Sequence, residues 1–244
     1  MFRKKAMLSA SNHNKIDILD DNSSFSFVEG YRSLRTNLSF MTYSGDVKTI
    51  LVSSSLPGEG KSSVSVNLAR SLSMAGKKVL LIDADLRSPS VHKYLRIRKK
   101  VQDGFSTVLA GRTKLEDAIY MFPPLEIDVM LSGSIPPNAS ELLSREHTGE
   151  IMSELKEKYD VVIIDTPPAG VVTDAVVLSR YVDGLLFIVK QNYAEIDLIK
   201  HALKSFEQTG TKVLGVVMSD YKSTKDTRGS GSYAYDYTYG VDSK

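Results

Sequence analysis

A chain of 244 residues with 42% apolar side chains has material for one sizeable core and does not call for a second. Its 31 basic and 29 acidic residues leave a net charge of +2, which lacks the sign excess of a dedicated nucleic-acid binder. The absence of cysteine excludes disulfides and thiolate metal sites, and the histidines at 13, 92, 147 and 201 show no metal-ligand spacing.

The opening MFRKKAMLSASNHNKIDILDDNSS starts basic but has no apolar stretch behind it, so it is not a secretory signal, and residues 1–25 read as a flexible arm. No window approaches the roughly 20 apolar residues that a bilayer span needs. The best stretch, DVVIIDTPPAGVV, is cut by Asp165 and Pro167-Pro168. The chain is expected to be soluble and to reach a membrane only through a partner.

EGYRSLRTNLSFM carries Tyr31, Leu34, Leu38 and Met41 at helical spacing and predicts an amphipathic helix. Five apolar runs follow: KTILVSS at 48–54, KKVLLIDA at 77–84, YDVVIIDT at 159–166, DGLLFIVK at 183–190 and TKVLGVVMS at 211–219. Continuous rather than alternating runs mean strands covered on both faces. A helix after Lys61, with Val64, Leu68 and Leu72 on one face, stops at Gly76; another from about residue 195, with Ile196, Ile199, Leu203 and Phe206, stops at Gly210. This alternation predicts an α/β domain over 26–220, a doubly wound, mainly parallel sheet with helices on both faces. Residues 86–145, rich in Pro, Gly and Ser, are expected to form short helices and loops at the active edge.

SSSLPGEGKSS follows the first predicted strand and opens the first crossover helix. Gly58, Glu59, Gly60, Lys61 and Ser62 match the second half of a P-loop NTPase's phosphate-binding loop, with Ser55 where its first glycine stands. Such a loop curls backbone N–H groups around an anion, while a lysine reaches the β/γ-phosphates and a hydroxyl at the helix N-terminus holds Mg²⁺. The candidate nucleotide contacts are Pro57, Gly58, Glu59, Gly60, Lys61, Ser62 and Ser63. LLIDADLR ends the second strand in Asp83 and Asp85, and VVIIDTPP ends the third in Asp165. In a parallel sheet these ends open on the same crevice, where carboxylates hold Mg²⁺ directly or through water. Any one of them alone would read as a helix cap.

The chain closes on GSGSYAYDYTYGVDSK, with tyrosines at 233, 235, 237 and 239. Period 2 puts these rings on one face of an extended segment. The preceding STKDTRGSGS makes residues 221–244 a flexible tail and the tyrosines four hydroxyls on a tether.

LPGEGKSS, LLIDADLRSPSVH, VVIIDTPP, the early EGYRSLRTN and the terminal tyrosines together resemble the bacterial tyrosine kinases of polysaccharide export, the BY-kinase family, over nearly the whole chain from about residue 25. The resemblance implies ATP and Mg²⁺ as cofactors. Lys61 and Ser62 would bind phosphates and metal, Asp85 and Asp165 the Mg²⁺ shell, and Asp83 would act as base toward the tyrosine hydroxyl. Arg87 would hold phosphate or neutralise charge. It further implies autophosphorylation of Tyr233, Tyr235, Tyr237 and Tyr239 in trans, within a ring whose subunits meet through Glu29, Arg32 and Arg35. Other implied partners are a transmembrane activator, a cognate tyrosine phosphatase and further protein substrates. The protein would be cytoplasmic, recruited to the inner face of the membrane, and would regulate capsular or exopolysaccharide synthesis. A cargo-positioning ATPase of the partition type and a nucleotide-dependent binding switch stay open as alternatives. Partition ATPases carry a lysine where this chain has Leu56, and related proteins often hold adenine with an asparagine where this chain has Ser219.

Overall fold

The computed structural model describes residue 7 and residues 17–41, 47–97 and 101–221. In chain order they form α1 (Phe25–Met41), β1 (Thr49–Ser54), α2 (Lys61–Met74), β2 (Val79–Asp83), α3 (Val91–Tyr94), α4 (Phe105–Leu109), β3 (Tyr120–Phe122) and β4 (Ile127–Met130). There follow α5 (Ala139–Leu143), α6 (Glu146–Lys158), β5 (Val161–Asp165), α7 (Asp174–Leu178), β6 (Gly184–Lys190), α8 (Ile196–Glu207) and β7 (Val213–Ser219). The strands lie in the order β3-β4-β2-β5-β1-β6-β7, and every neighbouring pair is parallel except β3 with β4. From β1 the chain crosses to β2 on one side, whereas β5 is followed by β6 on the other side of β1. The crevice beyond the C-terminal end of β1 is therefore a topological switch point, where ligands of such sheets bind.

In β1, β2, β5 and β6 the continuous apolar runs follow from period 2 acting on a sheet with two covered faces, whereas β7, at the sheet edge, exposes Val213, Val216 and Met218 and so departs from the expected covered strand. Leu80, Ile82, Val162, Ile164, Leu185 and Phe187 enter one core with Phe105, Leu143, Leu155 and Phe206. Their alternates Val79, Leu81, Ile163, Leu186 and Ile188 enter the other with Leu38, Val64, Leu68 and Leu72. Truncating one of the leucines, isoleucines or phenylalanines among them to Ala costs about 2–5 kcal/mol.

The five predicted strands are all present. Residues 86–145 hold more order than their composition suggests, because the short β3 and β4 extend the sheet beyond β2. On α1, Tyr31, Leu34 and Leu38 face the core as the stripe predicts, but Met41 is 43% exposed.

The chain is packed well before residue 25. Leu19 is buried, its N–H donates to Asn67 Oδ1 at 2.7 Å, and Asn67 Nδ2 donates to the carbonyl of Asp17 at 3.1 Å. One buried amide on α2 thus pairs with the backbone of a polar segment, and Leu19 inserts beside it. The expected tail with Tyr233, Tyr235, Tyr237 and Tyr239 lies outside the described residues. No helix among the described residues is long and apolar enough to cross a membrane.

At the N-terminal end of the sheet, Asp183 Oδ2 accepts from the Lys48 N–H, the Thr49 N–H and Thr49 Oγ1, each at 2.9 Å, while the Lys156 ammonium donates to Oδ1 at 2.5 Å. Burial alone would raise this carboxyl's pKa. The hydrogen bonds from Lys156, Thr49 and Lys48 together outweigh it and hold Asp183 below the usual aspartate value.

Candidate active site

Between Ser54 and Lys61 the chain turns from strand to helix, with Gly58 at φ 82° and Gly60 at φ 91°. Side-chained residues avoid this left-handed region, so the two glycines are what lets the loop close. The loop is clamped from several sides. A Cβ on Gly170 would stand 2.4 Å from the Ser55 carbonyl oxygen, so the segment after β5 presses directly on the loop's first residue. Tyr193, after β6, donates its hydroxyl to the Pro57 carbonyl at 2.9 Å.

Glu59 is fully buried and turns inward. Its carboxylate accepts the Leu56 N–H at 2.6 Å and the Lys190 N–H at 3.3 Å, and its carbonyl accepts the Ser219 hydroxyl at 2.7 Å. Of the candidate nucleotide contacts, Glu59 therefore has its side chain bracing the loop against the ends of β6 and β7. Pro57 and Gly58 are exposed, Gly60 and Ser63 are half-buried, and Lys61 and Ser62 form the buried first turn of α2.

Asp83 and Asp165 are register partners at the ends of adjacent strands, and both are buried. Asp165 receives the Ser62 hydroxyl on Oδ2 at 2.6 Å and the Ser65 hydroxyl on Oδ1 at 3.0 Å. Ser62 Oγ also lies 2.6 Å from Ser90 Oγ. Burial pushes the Asp165 pKa up to about 6, against the pull of Ser62, Lys61 and Ser65. Burial, followed by repulsion from Asp165, drives Asp83 well above the usual carboxylate range. Asp83 accepts the Val91 N–H on Oδ2 at 3.1 Å and the Asp85 N–H on Oδ1 at 3.3 Å. Asp85 is half-buried, and its Oδ1 accepts the N–H groups of Arg87 at 3.2 Å and Ser88 at 2.8 Å.

Arg87 is drawn away from the phosphate loop. Its guanidinium is paired with Asp174, so holding phosphate would require that pair to open. In the motif on α1, Arg32 pairs with Glu29 at 2.6 Å on the exposed face, while Arg35 donates to the Ser71 carbonyl on α2 at 2.6 Å. Arg35 thus serves a contact within the chain. Sequence reading missed Ser90, Tyr193, Asn67 and Asp174. Ser90, in the stretch SPSVH after Asp85, was the one open to discovery, being a hydroxyl close behind a strand-end acid.

A cavity of about 560 Å³ adjoins the loop, walled by Gly58, Gly60 and Ser63, by Phe27, Tyr31 and Leu34 of α1, and by Met218 and Ser219 at the end of β7 with Asp220 beyond it. Its size and position suit a base and ribose continuing from phosphates at the loop. The buried Ser55 Oγ has no hydrogen-bond partner among the described residues, leaving a polar group in the loop that a ligand could satisfy. The acidic end offers only hard oxygen donors, and among the described residues no three His or acidic side chains converge to hold a metal by themselves. That suits Mg²⁺, which keeps waters and takes phosphate oxygens.

A glycine-turned loop before a helix N-terminus, with aspartates ending neighbouring parallel strands, defines the class as a P-loop nucleotide-binding protein. A family model described as an AAA domain matches residues 47–215. The chain is 38% identical to the tyrosine-protein kinase YwqD of Bacillus subtilis over 81% of its own length and 82% of that protein's. It is 32% identical to the putative tyrosine-protein kinase CapB of Staphylococcus aureus, covering 88% and 90% respectively. Among solved structures, the kinase domain of the Escherichia coli tyrosine kinase ETK superposes with a TM-score of 0.80 at 30% identity, over 96% of this chain and 94% of that one. The chimerical protein CapA2B2 superposes at 0.74 with 35% identity, over 81% and 85%. The septum site-determining protein MinD of Pyrococcus horikoshii, complexed with Mg-ADP, superposes at 0.61 with 26% identity, over 70% of each chain. The chain belongs to the bacterial tyrosine kinase family and is a protein-tyrosine kinase. It spans only 26% to 29% of the kinases of Acinetobacter johnsonii, Salmonella typhimurium and Klebsiella pneumoniae that it also matches.

Proposed function

We propose that this kinase uses ATP and Mg²⁺ to phosphorylate its own C-terminal tyrosines, Tyr233, Tyr235, Tyr237 and Tyr239, in trans between subunits of a ring. The observation that carries the reading is the meeting of Ser62, at the phosphate-loop helix, with Asp165 and its register partner Asp83 in one buried crevice. Phosphoryl transfer asks chiefly for positioning and charge neutralisation. The loop amides and Lys61 would hold the β/γ-phosphates, and Ser62 with Asp165 and Asp85 would hold the metal, which when bound neutralises phosphate charge. The bond between the γ-phosphorus and the β,γ-bridging oxygen breaks as one to the tyrosine oxygen forms, and the phenolic proton passes to Asp83. A raised pKa suits Asp83 to accept it. Because Asp83 is fully buried, the crevice must open for the phenol to reach it, although each of its oxygens, with one backbone N–H, keeps a lone pair to spare.

A Gly/Ser-containing tether of about 20 residues would have an r.m.s. span on the order of 25 Å, enough to cross a subunit boundary. The half-buried Glu29 and the exposed Arg32 would supply a neighbour's contact, and Arg35 would have to leave Ser71 to join it. A transmembrane activator would recruit the protein to the inner face of the membrane, and a tyrosine phosphatase would reset the tail. The names CapB, and the "cps region" of the Klebsiella relative, support a role in capsular or exopolysaccharide synthesis. The test is to mix a Lys61→Ala subunit carrying its tail with an active subunit lacking one, in the presence of the activator's cytosolic tail. Phosphotyrosine on the inactive subunit supports transfer in trans, and its absence there contradicts it.

A further inference from the structure

Asp174 opens α7 and is fully buried, yet none of its contacts reaches the phosphate loop. Its carboxylate takes the Arg87 fork bidentately, Nε to Oδ2 at 2.7 Å and Nη2 to Oδ1 at 2.9 Å. Ser140 on α5 donates to Oδ1 of Asp174 and accepts from Arg87 Nη2 at 3.1 Å. Two parallel bonds fix a guanidinium in its plane as a single point charge cannot, and Ser140 supplies a third point. The backbone of Arg87 belongs to the acidic turn, for its N–H caps Asp85 Oδ1 while the Asp85 N–H donates to Asp83. A line of bonds thus runs from Asp174 through Arg87 and Asp85 to Asp83. It links the turn after β2 to the helix that follows β5, the strand bearing Asp165.

We propose that Asp174 is a positioning residue for phosphoryl transfer, acting through Arg87 to fix the turn that presents Asp83 and Asp85. The inference rests on the roles assigned to those two aspartates above. Misplacing a reacting group by about an ångström costs up to roughly a hundredfold in rate. Asp174→Asn keeps the volume but turns an amide nitrogen toward the Arg87 fork, and is expected to slow tail phosphorylation about ten- to a hundredfold. ATP affinity, which rests on the loop amides and Lys61, should change less than about threefold. Arg87→Lys keeps the charge and loses the fork, so it should fall between wild type and Asp174→Asn.

The experiment is a double-mutant cycle of Asp174→Asn with Asp85→Asn. Phosphorylation rate is measured with Mg²⁺ and ATP, affinity by calorimetry with a non-hydrolysable ATP analogue, and amide exchange over residues 84–91 in nucleotide-free protein. The proposal expects slower phosphorylation, nearly unchanged affinity, faster exchange in that segment and little further loss in the Asp85→Asn background. An unchanged rate, or the same fold-loss in both backgrounds, overturns it. If Asp174→Asn does not fold, Arg87→Lys in the same cycle decides by the same criteria. Full activity in Asp85→Asn itself would refute the role of Asp85 and the positioning claim with it, whereas a slow Asp85→Asn beside a fully active Asp174→Asn refutes the positioning claim alone.

Discussion

Aspartates sit at both ends of this sheet, and their surroundings push them in opposite directions. At the N-terminal end Asp183 collects two backbone N–H groups, a hydroxyl and an ammonium, and is held more acidic than usual. At the C-terminal end Asp83 and Asp165 lie side by side in register, buried, and both are held less acidic than usual. Charge that serves the fold is compensated within the fold. Charge at the crevice keeps hydrogen-bond partners that do not offset its burial, the condition in which a cation or a proton binds with most effect.

The largest effect that should sharpen this contrast is at the phosphate loop. Lys61→Ala removes the side chain proposed to hold the phosphates and should lower phosphorylation at least about 10²–10³-fold, with the melting temperature little changed. Quantitative phosphotyrosine measurement alongside thermal melting checks both parts.

Asp165→Asn should separate activity from stability. Because the folded pKa of Asp165 is raised to about 6, its stabilising contribution is complete below the unfolded value of roughly 4 and is lost as pH rises through about 6. Metal-free wild type should therefore lose stability across that window. The variant should lack this loss and, near pH 7, be more stable by about 3 kcal/mol while phosphorylating poorly. Denaturant unfolding at pH 5 and pH 7.5 in chelator measures it.

Asp183→Asn should do the reverse, costing on the order of 2 kcal/mol at neutral pH through the lost charge-assisted bonds. A depressed pKa gives stability that is present above the ordinary aspartate value and lost as pH falls through the lower, folded one. Acid unfolding of wild type below about pH 4 should thus carry a component that the variant lacks. The smallest effect on the fold belongs to Arg32→Ala, whose exposed pair with Glu29 contributes less than about 1 kcal/mol. A change in assembly mass without a change in melting would mark that pair as an interface.

How much of this was open to sequence reading depended on whether a feature is local. The covered strands announced themselves because two cores draw alternate residues from one run, as Leu80 and Leu81 do. Gly58, Gly60, Lys61 and Ser62 were legible because the loop's conformation and chemistry sit within a few residues. β3 and β4 are only 3 and 4 residues long, too short to show a period. α6 did carry a signal in Ile151, Met152 and Leu155, and its first turn begins at the limit assigned to the loop region. The inward turn of Glu59, the packing of Leu19 under Asn67 and the capture of Arg87 by Asp174 are partnerships across 131, 48 and 87 residues, which no spacing records.

The central claim is that this crevice transfers phosphate to the tail, and intact-protein and peptide mass spectrometry addresses it most directly. Incubated with Mg²⁺, ATP and the activator's cytosolic tail, wild type should gain phosphate on Tyr233, Tyr235, Tyr237 and Tyr239, and Lys61→Ala should gain none. Consumption of ATP with all four tyrosines unmodified, or equal modification in both proteins, would contradict it.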